Sequence, residues 1–155
     1  MAITIPLSVT GGAQTGFTSP VYTTTVDTPV DINSKQNAVT AIGGTQTGVD
    51  VHTVARPFTI AVSRPKVFQA LGKPNPTTGL ISVVPFNTYK VIVRKGVLPL
   101  AGQPSQVAIA RCEIAIPAGS DTADANNVRA LLSALVGTLN GISAGLGDSA
   151  INGVL

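Results

Sequence analysis

The chain has 155 residues, of which 44% are apolar and only 11% charged, with a net charge of +3 at pH 7 and a mean hydropathy of +0.37. Ordinary soluble domains carry roughly a quarter charged residues, so a free monomer of this composition lacks polar surface, while no run of about 18 uninterrupted apolar residues supplies a membrane span. Extensive burial against other copies of the chain is therefore expected, in one domain spanning residues 1–155.

The first stretch, "MAITIPLSVTGGAQTG", has no basic n-region and no long apolar core, since its first cation is Lys35. No signal peptide is read there, and a chain made in a cytoplasm is expected. From residue 3 to about 117 apolar positions alternate, Val, Ile and Thr abound, and Gly or Pro recurs as punctuation. The expected strands are "ITIPLSV" (3–9), "VYTTTVD" (21–27), "TPVDIN" (28–33), "FTIAVS" (58–63), "TYKVIVR" (88–94) and "QVAIARCEIAI" (106–116). Between them "TGGAQTG", "IGGTQTG", "GKPNPTTG" and "LPLAGQPS" carry the residues that turns require, which predicts an antiparallel meander.

Residues 118–155 change pattern. Val128, Leu131, Leu132, Leu135, Val136 and Leu139 recur at helical intervals behind Ser120, Asp121 and Asp124, each suited to cap a helix. One amphipathic helix of about three to five turns is expected. Gly137, Asn140, Gly141, Gly145 and Gly147 should loosen or break it, leaving "DSAINGVL" a short last turn. The fold class is thus α+β. One helix leaves most of a large sheet bare, so a second copy's helix is needed to complete the cover, making Val128, Leu131, Leu132, Leu135 and Leu139 the expected dimer interface.

The pleat divides the strands into two faces. Phe58, Ile60, Val62, Tyr89, Val91, Val93, Ile114 and Ile116 fall on an apolar side, to which Cys112 also points. Thr59, Ser63, Lys90, Arg94, Arg111 and Glu113 fall on the other. From Val51 to Cys112 the chain holds Arg56, Arg64, Lys66, Lys73, Lys90, Arg94, Lys95 and Arg111 and no Asp or Glu. A merely solvated surface mixes signs, so phosphate is the expected counter-charge.

Enzyme chemistry finds little support. His52 has only Asp50 nearby, Glu113 is the sole Glu, and the Gly-rich stretches lack the Lys and following helix of a phosphate loop. The lone Cys112 allows no intramolecular disulfide. No cofactor, metal, membrane or small-molecule substrate is expected. A self-assembling pilus, tail-tube or adhesin-like β subunit explains the low charge and Thr-rich strands equally well, but leaves the basic window unexplained.

The segments "FTIAVSRP" (58–65), "NTYKVIVRK" (87–95), "CEIAIP" (112–117), "NNVRALLSALV" (126–136) and the terminal "DSAINGVL", in that order, resemble the coat protein of single-stranded RNA bacteriophages, the leviviruses. The resemblance covers about half the chain. It implies an N-terminal hairpin, an antiparallel sheet and C-terminal helices that cross onto a partner in an interlocked dimer. It further implies that dimers build an icosahedral virion shell inside a bacterial host. The inner sheet face would contact genomic RNA, including an operator hairpin through which the coat protein represses replicase translation. Carried over by position, that face would hold Thr59, Ala61 and Ser63, then Thr88, Lys90, Ile92 and Arg94, then Ile109, Arg111 and Glu113. Two departures stand out. Ile109 occupies the place of a base-stacking tyrosine, and residues 66–86 exceed the usual short connection, as an extra hairpin or a surface loop.

Overall fold

The computed structural model describes residues 2–154. Six strands form one antiparallel sheet in chain order: β1 Ser8–Thr10, β2 Thr18–Asp27, β3 Ser34–Thr45, β4 Phe58–Ser63, β5 Phe86–Val97 and β6 Gln106–Pro117. Helices α1 Ser120–Ala123, α2 Ala125–Gly141 and α3 Ser143–Asn152 follow. Each strand pairs with its predecessor, so β6 closes the meander with a neighbour on one side only.

Three expectations are corrected. Of "ITIPLSV" only Ser8 and Val9 fall in a strand, β1. Pro6 has no N–H to offer a ladder, and the segment before it crosses the apolar side of the sheet instead. Lys35 Nζ donates to Ile3 O at 2.7 Å, Thr24 Oγ1 to Pro6 O at 2.8 Å, and Ile5 is buried.

"TPVDIN" is a turn, and the strand lies just beyond it. Asp27 Oδ1 accepts from Thr28 N at 2.8 Å, Asp31 Oδ1 from Asn33 N at 3.0 Å, and Asp31 O from Ser34 N at 2.9 Å. Short polar side chains that bond their own backbone favour turns over ladders. β3 then runs through "IGGT", the first four residues of the expected turn "IGGTQTG". Gly44, at φ 73°, sits where a Cβ would overlap the carbonyl oxygens of Thr18 and Ser19. The pairing shifts register there, and Ser19 takes φ 45°, as a β-bulge requires.

The glycines break the helical region once, just after Asn140 and Gly141, but the other three stay inside helices. α2 continues through Gly137 to Gly141, and α3 carries Gly145 and Gly147 through ten residues after a 58° bend. Asp124 does occupy the N-cap position of α2, but its carboxylate takes Asn127 Nδ2 at 2.8 Å rather than a backbone N–H. Ser120 and Asp121 lie inside the single-turn α1. Among the described residues no single helix is long and apolar enough to cross a membrane.

The buried centre is small. Val39 is fully enclosed, Ala38, Phe58 and Ala61 are also buried, and Tyr22 meets Phe58 edge-on at 5.5 Å. Asn37 Nδ2 donates to Thr24 Oγ1 at 2.8 Å, so the bond from Thr24 to Pro6 O extends into a buried polar chain. At the far end of the apolar face, residues 66–85 form a loop without strands rather than a hairpin, and Phe86 already opens β5. Asn87 clasps Gln69 through two bonds of 2.8 and 3.0 Å, and Phe68 lies 6.5 Å from Tyr89 with Arg64 5.9 Å over its ring.

The apolar helix does not cover its own sheet. The packing neighbours of α2 are α1 and α3, and no residue of α2 or α3 is buried. Leu131, Val136 and Leu139 are 55%, 67% and 42% exposed, while Val128, Leu132 and Leu135 are half-buried. The start of α3 is instead held by the β1–β2 turn. Gln14 Nε2 donates to Ser143 O and Oγ, and Thr15 Oγ1 to Asp148 Oδ2.

Candidate nucleic-acid interface

Cross-strand partners share a face of the sheet, so the register assembles the polar face row by row. Ser34 faces Ser63, Ser63 faces Lys90, and Lys90 faces Glu113. The next row holds Asp27, Gln36, Ala61, Ile92 and Arg111, and the one after it Thr25, Ala38, Thr59, Arg94 and Ile109. Thr88 joins the same side opposite Ala115. The expected site residues therefore do share one face. Ser34 and Gln36 of β3, which was not expected as a strand, extend it, and across the pair they bring in Thr25 and Asp27 of β2.

Exposure separates floor from contact surface. Lys90, Ile109, Arg111 and Glu113 are exposed, while Ser63, Thr88, Ile92 and Arg94 are partly so. Thr59, expected among the contact residues, is only 5% exposed. A short side chain at the sheet's centre, it is enclosed as the chain stands and offers a ligand little.

The eight central cations are less isolated than the sequence suggests. Arg56 pairs with Asp50, Lys66 with Asp31 at 3.0 Å, and Lys90 with Glu113 at 3.4 Å. The acids that balance them lie just outside the acid-free window. Lys95 belongs to the opposite face, with its Nζ 4.6 Å over the Phe58 ring and 2.5 Å from Asp50 O. Burial there pulls its pKa below the usual lysine value, partly offset by the Asp50 charge. Among the described residues, Arg94 and Arg111 have no carboxylate within 4 Å on the polar face. At about 3.3 Å per residue, Lys90 and Arg94 stand roughly 13 Å apart along β5.

At the other end of the face the carboxylates are held ionised. The Gln36 side chain and then the Thr28 N–H lower the pKa of Asp27; the Asn33 N–H and then Lys66 lower that of Asp31. The face is thus polarised, negative at β2 and positive across β5 and β6. His52, the sole histidine, uses Nδ1 to accept the Phe58 N–H at 3.0 Å. Its place is in a loop against β4, with no group of metal-ligating residues among those described.

Neither a family model nor a curated protein matches the chain. Among solved structures, it is 53% identical to the protein of the virus-like particle of bacteriophage ESE020, with a TM-score of 0.96, covering 99% of this chain and 100% of that one. It is also distantly similar to the virus-like particle of Wenzhou levi-like virus 4, at 17% identity and a TM-score of 0.42 over 80% of this chain and 71% of that one. The pilus, tail-tube and adhesin alternatives give way to the full-length relative. With six strands in meander order, helices at the C-terminus and that identity throughout, the chain belongs to the levivirus coat-protein family.

Proposed function

We propose that this chain is the coat subunit of a virion, which dimerises and closes as an icosahedral shell around single-stranded RNA. The observation that carries the dimer is the helix pair that buries nothing in its own chain. Complementary to it, the sheet's apolar side retains open grooves of ≈ 430 and ≈ 490 Å³ on either side of the N-terminal segment, lined by Ile3, Ile32, Val62 and Tyr89 and by Leu7, Val26 and Pro29. Each fully buried Leu or Val contributes roughly 1.5–3 kcal/mol. The stripe Val128, Leu131, Leu132, Leu135 and Leu139 from two subunits then outweighs an association cost of about 4–15 kcal/mol. Strand β6, unpaired along its outer side, is the seam along which two sheets become one.

Across such a seam Arg94 and Arg111 are duplicated into a basic floor beneath the RNA. Release of counterions from neutralised phosphates supplies affinity without regard to sequence, as packaging a long RNA demands. Ile109, 46% exposed, offers apolar contact but no stacking ring, so this face is read as sequence-tolerant rather than as a hairpin-specific repressor.

The test is the triple variant Lys90→Gln, Arg94→Gln, Arg111→Gln. The dimer is expected to survive, encapsidated RNA to fall by the 260/280 nm absorbance ratio, and the salt dependence of RNA binding to flatten by about one unit per lost phosphate contact. A triple variant that packages as much RNA as the parent, with an unchanged salt slope, would sink the RNA assignment.

A further inference from the structure

The dimer reading above leaves open how two copies of β6 are aligned, and the sequence of that strand restricts the answer. Ala118 N donates to Pro85 O at 2.8 Å, continuing the register in which Cys112 faces Val91. In an antiparallel ladder a residue turns its N–H and C=O to the same side, and the side alternates along the strand. Even-numbered residues of β6 are therefore bonded to β5. Val107, Ile109, Arg111, Glu113 and Ala115 turn theirs to the open edge.

A two-fold partner strand must pair odd-numbered residues with odd-numbered ones, which also keeps each face of the joined sheet continuous. The axis then passes beside a residue that lies opposite its own copy. The midpoint of Gln106–Pro117 falls between Arg111 and Cys112, so an axis at either uses the strand about equally. Charge separates the two. An axis at Arg111 sets two guanidinium groups directly opposite each other and leaves Glu113 facing the partner's Ile109. An axis at Cys112 sets Arg111 opposite the partner's Glu113, twice by symmetry. An axis at Glu113 opposes two carboxylates, and one at Ala110 shortens the overlap and pairs no charges. Opposite charges across a ladder stabilise and like charges destabilise.

We infer that two copies of this chain join through β6 in the register centred on Cys112, with each Arg111 opposite the partner's Glu113. Glu113 then lies between Lys90 of its own chain, at 3.4 Å, and the partner's Arg111. On the other face Val62, Val91 and Cys112 run into their copies as one apolar row. This inference rests on the strand-pairing dimer proposed above.

Cysteine crosslinking tests it. At a non-hydrogen-bonded antiparallel pair the Cα atoms are about 4.5 Å apart, inside the range of about 4.4–6.8 Å that a disulfide spans, whereas a two-residue offset separates them by more. The parent, with Cys112 alone, is compared with Ala110→Cys, Arg111→Cys and Glu113→Cys, each in a Cys112→Ser background. Each is purified as the dimer and oxidised by copper phenanthroline under air. The parent is expected to form covalent dimer on non-reducing gels at least ~10-fold faster than the other three. Fastest crosslinking at 110, 111 or 113 overturns the register while leaving strand pairing intact. No crosslink at any of the four positions, in protein that sediments as a dimer, overturns strand pairing and register together. The parent needs no substitution, so a variant that fails to fold does not remove the test.

Discussion

Strands β2 to β4 and the stretch from β6 to α3 solve opposite problems. In the first, side chains find their partners inside the chain: Val39 is enclosed, Tyr22 meets Phe58, and Asn37, Thr24 and Pro6 form one buried chain of hydrogen bonds. In the second, β6 has one neighbour and the two longer helices bury no residue. A low-charge sequence is therefore compatible with a folded chain only because its apolar excess is concentrated where another copy can reach it. The first region specifies the subunit, and the second specifies that there must be more than one.

The largest effect is expected at Leu135. Leu135→Asp forfeits about 1.5–3 kcal/mol of burial per subunit, before the desolvation of the new carboxylate. Dimer and shell should disappear together in sedimentation and electron microscopy, and a variant that still forms shells would show that α2 is not part of the interface. Asn37→Ala attacks the self-contained region instead. It removes the bond that Thr24 Oγ1 accepts, though not the one it donates to Pro6 O, and empties the buried volume of the amide, together a loss of about 1–3 kcal/mol, and should lower the thermal midpoint while leaving the dimer's sedimentation coefficient unchanged.

Gly96→Ala is expected to act similarly and somewhat more weakly. A Cβ there would stand 2.6 Å from Arg56 Cα, so backbone must shift. Overpacking of that kind costs about 1–3 kcal/mol, with relief toward the low end because Arg56 lies in a loop. Its readout is the denaturant midpoint, and a value equal to the parent's would mean that the loop yields freely.

The smallest effect is acid sensitivity at the β2–β3 turn. The pKa values of Asp27 and Asp31 are lowered in the fold, so their stabilisation is fully present above the ordinary carboxylate range and is lost as pH falls through the folded values, below about pH 4. Asp27→Asn with Asp31→Asn should flatten the decline of thermal midpoint between about pH 4 and pH 2. An equally steep decline would place the acid-labile groups elsewhere.

Much of the architecture was legible because period-two alternation in "FTIAVS", "TYKVIVR" and "QVAIARCEIAI" matches half-covered strands. The division of Lys90, Arg94 and Arg111 from Tyr89, Val91 and Val93 followed from the pleat alone. β3 was hidden because a bulge uses Gly44 for a close approach that resembles turn chemistry, while Asp31 and Asn33 bond their own backbone in a stretch rich in Val and Ile. α2, at 17 residues, has the three to five turns expected, whereas α3 was underestimated, because glycine's cost of about 1 kcal/mol per residue does not keep Gly145 and Gly147 out of a ten-residue helix. Ion pairing escaped notice since Asp31, Asp50 and Glu113 are brought to Lys66, Arg56 and Lys90 from outside the acid-free window.

The bonds from Gln14 and Thr15 to Ser143 and Asp148 join residues 129 and 133 positions apart. A nascent chain presents the β1–β2 turn long before Ser143 is synthesised, and closing so long a loop carries an entropy penalty that shorter, sequential hairpins avoid. The meander can zip during translation, whereas the clip on α3 must wait for the C-terminus. Order of synthesis thereby makes the helix anchor a late contact: a chain interrupted before Ser143 can pair its strands but lacks every one of these bonds to the β1–β2 turn.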